Sequence, residues 1–452
     1  MVKQVFALLA LSIFLGGCST IKSEQPSSFG TTLPPSPAST LLVSPILAPT
    51  QTPLPPTRSA TLAPSLTPTV TSTPTNLPDM LNYQCLEIAD HPPDDYIQEG
   101  ILVFKTDDNL DSWLNDGTGT IRRFPRETGD RLFGFDVSPD RSRILYYQSI
   151  NTGGWMVVIA TADGQPIWSQ PASSDTWWFW FDNDRLMSWV TQTEGLPYLT
   201  ILNIYTGERI DLQQNFPNIY DADSGLFSGF VSSFGRTVYD PTLTRVIYPA
   251  CDSACRERLI RGEPGYPIVL WDIERGIELA SLLTTDFWGE TPIWQQDGSY
   301  FIIATKVNPS YPYPPADEFF SVSREGEIKQ LTHFTDYYQD VEIQDTYSLS
   351  PNGQYVAFWI VAKPSSYNDD RLAILDTTTG EVTNYCIAGG TFMGNVVPQI
   401  RPIWSPDNTQ LIVYPGESQD AEHRRVVLVD IVHGFAAQIA EDIDLVGWMV
   451  SP

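Results

Sequence analysis

Among the 452 residues, the groups able to do chemistry are 5 cysteines, 4 histidines and 54 Asp plus Glu, set against 26 Lys plus Arg. Cys85, Cys251, Cys255 and Cys386 form an even set, which favours two disulfides over free buried thiols in a compartment that permits them. Cys251 and Cys255 sit in one loop, so the predicted pairing is Cys251 with Cys255 and Cys85 with Cys386. Zinc is disfavoured, because no second close cysteine pair or nearby His completes four ligands. Asp107, Asn109 and Asp111 occupy the first three ligand positions of a calcium loop. However, Ser112 replaces the required Gly, and Thr118 stands where a bidentate Glu belongs. Asp221 and Asp223, followed by Gly225, are similarly incomplete. No cofactor is expected, calcium being the one ion these acidic loops could take. His91, His333, His423 and His433 are too scattered for a His-rich metal centre.

The formal charge of -28 excludes a nucleic-acid binder, which needs a basic surface to displace counterions from phosphate. The aromatic run Trp177-Trp178-Phe179-Trp180-Phe181 reads as filling between sheets on both faces, with a sugar-stacking platform as the alternative. Chemistry of any kind must be positioned by elements, and those elements repeat. From residue 80 onward, strand-like runs bounded by turn residues recur without sustained helical periodicity. In the unit, an apolar strand ends near Ser-Pro-Asp, a second strand follows, a third ends in Asp, and a Gly turn leads to a fourth. Its turn falls at residues 139, 183, 241, 296, 351 and 406, at spacings of 44, 58, 55, 55 and 55.

A four-stranded antiparallel sheet cannot cover both of its faces alone, whereas radial stacking buries them and leaves short edges. The fold expected is therefore all-β: a seven-bladed β-propeller over residues 80–452. Six units are complete. The seventh combines three N-terminal strands near Ile101 to Phe104, Ser112 to Asn115 and Thr120 to Phe124 with an innermost strand from Leu445 to Val450.

The N-terminal residues read as an address. Lys3, an apolar run from Val5 to Leu15, and Leu15-Gly16-Gly17-Cys18 follow the order of a secretory signal, and the last four residues resemble the bacterial lipobox. The resemblance implies a signal over residues 1–17, lipid attachment at Cys18, and an extracytoplasmic protein held on the cell or outer membrane through its lipid alone, exposed at the surface. Residues 18–79 then form a Pro/Ser/Thr-rich stalk with 13 of the 37 prolines and no means of building a core. It is expected to be disordered, and as extended polyproline II it would reach about 190 Å.

Ser138-Pro139-Asp140, Ser350-Pro351-Asn352-Gly353, Ser405-Pro406-Asp407, Asp376-Thr377-Thr378-Thr379-Gly380-Glu381 and Gly326-Glu327-Ile328-Lys329-Gln330-Leu331-Thr332 carry a further resemblance. In these residues the chain resembles the TolB-like and WD-repeat-like propellers of bacterial envelopes. That resemblance implies the fold and leaves the function open, since such blades host binding modules, scaffolds and some enzymes. The stalk stands in place of the TolB-type N-terminal domain, and the Gly-x-Ser-x-Gly elbow of propeller-bearing peptidases is missing. Sialidase-type propellers mark their turns with Ser-x-Asp-x-Gly-x-x-Trp, which Ser350 to Trp359 match only loosely.

Loop lengths divide the two rims. First-to-second and third-to-fourth turns are short, while second-to-third loops and inter-blade connections are long. Long insertions on one face of a repeat array mark its binding face. The face so predicted carries Tyr220, Asp221, Asp223, Phe227, Tyr266, Tyr311, Tyr313, Asp336, Tyr337, Tyr338, Asp340, Asp369 and Asp370. Tyr with carboxylate suits an envelope or extracellular protein, or a glycan. The function expected is a non-catalytic binding or scaffold module, with a carbohydrate-active or other hydrolytic propeller enzyme as the alternative.

Overall fold

A computed structural model describes residues 80–94, 96, 100–106, 111–115, 121–123, 132–150, 153–173, 176–190, 198–212, 238–249, 266–284, 292–305, 307, 316–338, 341–344, 346–362, 370–389, 401–415 and 425–450. The described residues open with two short strands, β1 (Leu81–Tyr83) and β2 (Ile88–Ala89), then β3 (Ile101–Thr106), β4 (Asp111–Asn115) and β5 (Ile121–Arg123). The first blade is β6 (Leu132–Val137), β7 (Arg143–Ser149), β8 (Trp155–Thr161) and β9 (Pro166–Ala172). The second is β10 (Thr176–Trp180), β11 (Arg185–Val190), β12 (Tyr198–Asn203) and β13 (Arg209–Asp211). The third is β14 (Val238–Tyr239), β15 (Arg245–Pro249), β16 (Tyr266–Asp272) and β17 (Ile277–Thr284). The fourth is β18 (Ile293–Trp294), β19 (Tyr300–Thr305), β20 (Glu318–Ser323) and β21 (Ile328–Gln330). The fifth consists of β22 (Val341–Ile343), β23 (Ser348–Leu349), β24 (Tyr355–Ala362), β25 (Arg371–Asp376) and β26 (Val382–Ala388). The sixth is β27 (Ile403–Trp404), β28 (Gln410–Val413), β29 (Arg425–Asp430) and β30 (Phe435–Glu441), and β31 (Ile443–Met449) follows it.

Where the repeat predicts seven like blades, six are built from strands consecutive in the chain. The remaining sheet is composite, in the order β31-β3-β4-β5, with Ile101 opposite Met449 and Thr106 opposite Ile443. The expected sharing between the two ends is thus present as an antiparallel ladder. The physical reason is that, among the described residues, β3 has its inner partner only in β31, whose Leu445, Trp448 and Met449 supply the apolar partner surface. Leu102, Phe104, Leu445 and Trp448 pack on Ile412, Val426 and Leu428 of the sixth blade. On the other face, Ile101, Val103 and Met449 pack on Leu132, Ile144 and Tyr146 of the first blade. Alternate residues of a strand face opposite sides, so each blade feeds two such interfaces.

The turns explain the repeat signature. In the first blade the Ser138 hydroxyl donates to the Asp140 carboxylate at 2.6 Å and accepts from the Arg143 amide at 3.0 Å, and Asp140 also accepts the Ser142 amide. Ser350 with Asn352 and Ser405 with Asp407 do the same in their turns. The hairpin Asp closing the third strand accepts two amides ahead of it: Asp376 takes Thr378 and Thr379, and Asp430 takes Val432 and His433. These are Asx turns, in which a side chain substitutes for the missing ladder partner. Gly353, at φ +76, is required by its turn, where an L side chain would be strained.

Ahead of the ring, β1 pairs in parallel with β26 and β2 with β30, so one strap runs along the outer edges of the fifth and sixth blades. Cys85 lies between them and is bonded to Cys386, with Cα atoms 4.8 Å apart across 301 residues of sequence, as predicted. Cys251 and Cys255 lie outside the described residues, as do 1–79 with the expected signal and stalk. No helix among the described residues is long and apolar enough to cross a membrane.

Candidate functional site

The first strands of the blades approach one another around the centre. In three alternate interfaces a tryptophan at the last position of that strand donates its indole N–H to the preceding first strand. Trp180 donates to the Asp136 carbonyl at 3.1 Å, Trp294 to Val238 at 3.5 Å and Trp404 to Ser348 at 3.3 Å. These strands have a free inner edge, and side chains of the neighbouring blade cap it. The Tyr147 hydroxyl accepts the Trp178 amide, the Asp136 carboxylate accepts the Trp180 amide at 2.8 Å, and the Tyr414 hydroxyl accepts the Leu445 amide. Such capping removes the donors that would otherwise template another strand.

The short-turn rim is knitted across its centre. Gln296 donates to the Pro139 carbonyl at 2.8 Å although two whole blades lie between them in chain order, and Arg141 donates to the Trp404 carbonyl. Burial pulls the Arg141 guanidinium down to about 10, with Asp407 opposing. Between the third and fourth blades Arg324 donates to Asp240 at 2.5 Å. Burial alone would raise the Asp240 carboxyl, but hydrogen bonds from Thr242, the Arg245 amide and Arg324 outweigh it and hold the group below 3.8. These charged side chains are spent on holding turns together, which makes this rim a structural one.

The opposite rim, where first strands begin and third-to-fourth pairs end, presents aromatic surface. Phe133, Tyr147 and Trp155 of the first blade meet Trp177 of the second: Phe133 lies 4.6 Å from Trp155 edge-on and 5.3 Å from Tyr147 in a stack, and Tyr147 is 5.5 Å from Trp177. Trp177 remains 49% exposed and Phe179 37% exposed, while Trp178 and Trp180 are buried against the first blade. Trp178 and Trp180 therefore fill the first–second interface and Phe181 packs into the second–third one, while Trp177 and Phe179 keep exposed rings, a division the composition of the run does not reveal. The pattern follows from the two-residue period of a strand and the position of β10 at the inner edge.

Asp136 was not singled out by sequence, where it is one carboxylate among many. Burial pushes its carboxyl up from 3.8 to about 6, even though the Trp180 and Val137 amides favour the charged form. Burial likewise pushes the Tyr147 phenol up to about 12, the Trp178 contact opposing and the Asp136 charge adding. A short bulge brings Asp136 there: Phe133 pairs with Tyr147 and Asp136 with Leu145, so two residues of β6 oppose one of β7, with Gly134 at φ 62.

The predicted binding face is only partly described. Tyr220, Asp221, Asp223, Phe227, Tyr311, Tyr313, Asp340 and Asp369 lie outside the described residues, as do Asp107 and Asn109, whereas Asp111 opens β4. Tyr266 is the first residue of β16, paired with Thr284, and not a loop residue. Asp336 and Tyr337 lie in and just after a short 3-10 turn (Phe334–Asp336), with Asp336 exposed. Tyr338 and Asp370, by contrast, are 5% and 1% exposed, so neither is free to meet a partner. The connection expected as a loop over 333 to 346 is instead an apolar element. Phe334, Tyr338, Val341 and Ile343 pack on Phe319 and Phe358, because these residues bury more surface than a solvated loop could.

No protein-family model matches this chain, and no curated protein sequence matches it. Solved structures do resemble it. TolB from Acinetobacter baumannii is 14% identical, at a TM-score of 0.38 over 76% of this chain and 78% of that one. An uncharacterized protein from Listeria monocytogenes EGD-e is 11% identical, with a TM-score of 0.44 over 79% of this chain and 96% of that one. The periplasmic gluconolactonase PpgL of Pseudomonas aeruginosa is 13% identical, with a TM-score of 0.39 over 78% of this chain and all of that one, 100%. The hydrogen-bonded sheets themselves define the class: the chain is an all-β protein whose four-stranded antiparallel blades make a β-propeller.

Proposed function

We propose that the protein is an extracytoplasmic lipoprotein, anchored through Cys18, that displays a seven-bladed β-propeller on a Pro/Ser/Thr-rich stalk as a non-catalytic binding or scaffold module. Its partner is an envelope or extracellular protein. The observation that carries this reading is the asymmetry of the two rims. Charged groups of the short-turn rim are consumed in holding the blades, while β10 exposes Trp177, beside the aromatic cluster of the opposite rim, and Phe179, two residues further along the strand, on a rigid backing. The seven-blade count is supported by the β31–β3 ladder and by packing of the composite sheet on both the first and the sixth blades. Anchoring is supported by the order of basic start, apolar run and Leu15-Gly16-Gly17-Cys18.

A capture experiment tests the module. The full chain is compared with a variant carrying Asp221→Asn, Asp223→Asn, Asp336→Asn and Asp340→Asn, using envelope and medium fractions of the source organism, after both are shown to melt alike. Retention of a protein by the parent and its loss by the variant is the expected result. Equal retention by both overturns the assignment of the acidic rim, and retention by neither overturns the module reading. For the anchor, Cys18→Ser is expected to move the protein from the membrane pellet to the soluble fraction, and an unchanged distribution refutes lipid attachment.

A further inference from the structure

Trp177 and Phe179 are alternate residues of β10, so they project from the same side of the strand, about 7 Å apart along it. A cation is attracted to the face of an aromatic ring within about 6 Å of its centroid, and two exposed rings on one side of a strand can both come within reach of one cation. The rings are held in place. Trp177 rests edge-on against Tyr147 at 5.5 Å and Phe133 at 6.5 Å, and Phe179 lies opposite buried Met187. Little ordering cost therefore remains to be met on binding.

Charge selects what such a surface takes. The chain carries a formal -28, and the two arginines that flank the run are already paired, Arg143 with Asp140 over Trp180 and Arg185 with Asp182 over Phe181. A nucleobase could stack on these rings, but the phosphates attached to it would be repelled, and an acidic peptide would be repelled as well.

Resting on the module reading above, we propose that Trp177 and Phe179 form a site for the alkylammonium group of a lysine side chain presented by the partner protein. The partner surface is accordingly basic, and lysine rather than a ring or a carboxylate is its anchor. The contact is non-covalent, combining attraction to two ring faces with the long-range field of the acidic chain.

The test is calorimetric titration of the full chain with acetyl-Gly-Lys-Gly-Lys-Gly-amide and with the same peptide acetylated on both lysines. Binding of the first and a loss of at least tenfold with the second are expected. Trp177→Ala is expected to weaken the lysine peptide about three- to tenfold, the range of one exposed to partly desolvated cation–π contact. Trp177→Phe is expected to restore part of that loss, which a purely structural role would not do. Binding unchanged in Trp177→Ala overturns the site and assigns the attraction to diffuse charge. Tighter binding of tetramethylammonium than of the lysine peptide overturns the partner-lysine assignment in favour of a free quaternary amine. A neutral chitohexaose that binds the parent and not Trp177→Ala overturns it in favour of a saccharide. No envelope partner is needed for the titration, so failure of this site and failure of the module reading are separately visible.

Discussion

Asp136 is the residue whose environment departs furthest from what its type suggests. Its carboxyl, raised from 3.8 to about 6, prefers the neutral form in the folded chain. The sign follows from linkage. Below pH 3.8 both states are protonated; as pH climbs toward 6 the unfolded chain ionises first, so stability falls across that window and stays level above it. The full shift corresponds to about 3 kcal/mol, and partial contact with solvent reduces it to about 1–2 kcal/mol. Asp136→Asn keeps an acceptor for the Trp180 amide and does not titrate. Urea unfolding of both proteins at pH 4 and pH 7 should show the variant gaining about 1–2 kcal/mol on the parent at pH 7 and nothing at pH 4. An equal difference at the two pH values would mean that the carboxyl titrates normally.

Among the elements, the strap formed by β1 and β2 is the one whose contribution is set by a covalent bond. Two- and three-residue strands pairing in parallel on outer edges are marginal by themselves. The Cys85–Cys386 link closes 301 residues and holds them in register. Cys386→Ser should lower unfolding stability by about 2–4 kcal/mol. Amide exchange should quicken over residues 81 to 89 while the amides of β25 stay protected, a pattern that mass-spectrometric exchange resolves. The interface tryptophans act at the same scale. Trp180, Trp294 and Trp404 each tie one first strand to the preceding one, a device that repeats every second blade and that blade-by-blade comparison of sequence would not reveal, because the partner is a backbone carbonyl.

At the scale of the whole molecule, the composite sheet decides whether the ring holds. Removing residues 443 to 452 deletes β31, exposes β3 and uncovers Leu102, Phe104, Ile412 and Leu428 together. The truncated chain should lose its cooperative melt and bind a hydrophobic dye, whereas adding residues 443 to 452 as a separate peptide should restore part of the transition. A truncated chain melting like the parent would show that the other blades stand without closure. Much of this architecture is legible in the amino-acid order, because turn chemistry and strand alternation are local: Ser138-Pro139-Asp140 and Asp376 to Glu381 specify their turns through side chains reaching two or three residues. The Cys85–Cys386 pair and the strand from Leu445 also follow from counting, of cysteines in one case and of missing strands in the other. What the order could not reveal depends on which face of a strand a neighbour covers. Tyr338 looks like a loop residue, yet it is buried because the segment before β23 carries enough apolar side chains to pack down on Phe319 and Phe358, and Asp370 is buried just before β25, where its carbonyl accepts the Gly389 amide. Trp177 and Trp178 are the same residue type side by side, and only the packing of blades around β10 makes one a core residue and leaves the other half exposed. The displaced pKa of Asp136 has the same origin, since desolvation is a property of the volume around a group and not of its neighbours in sequence.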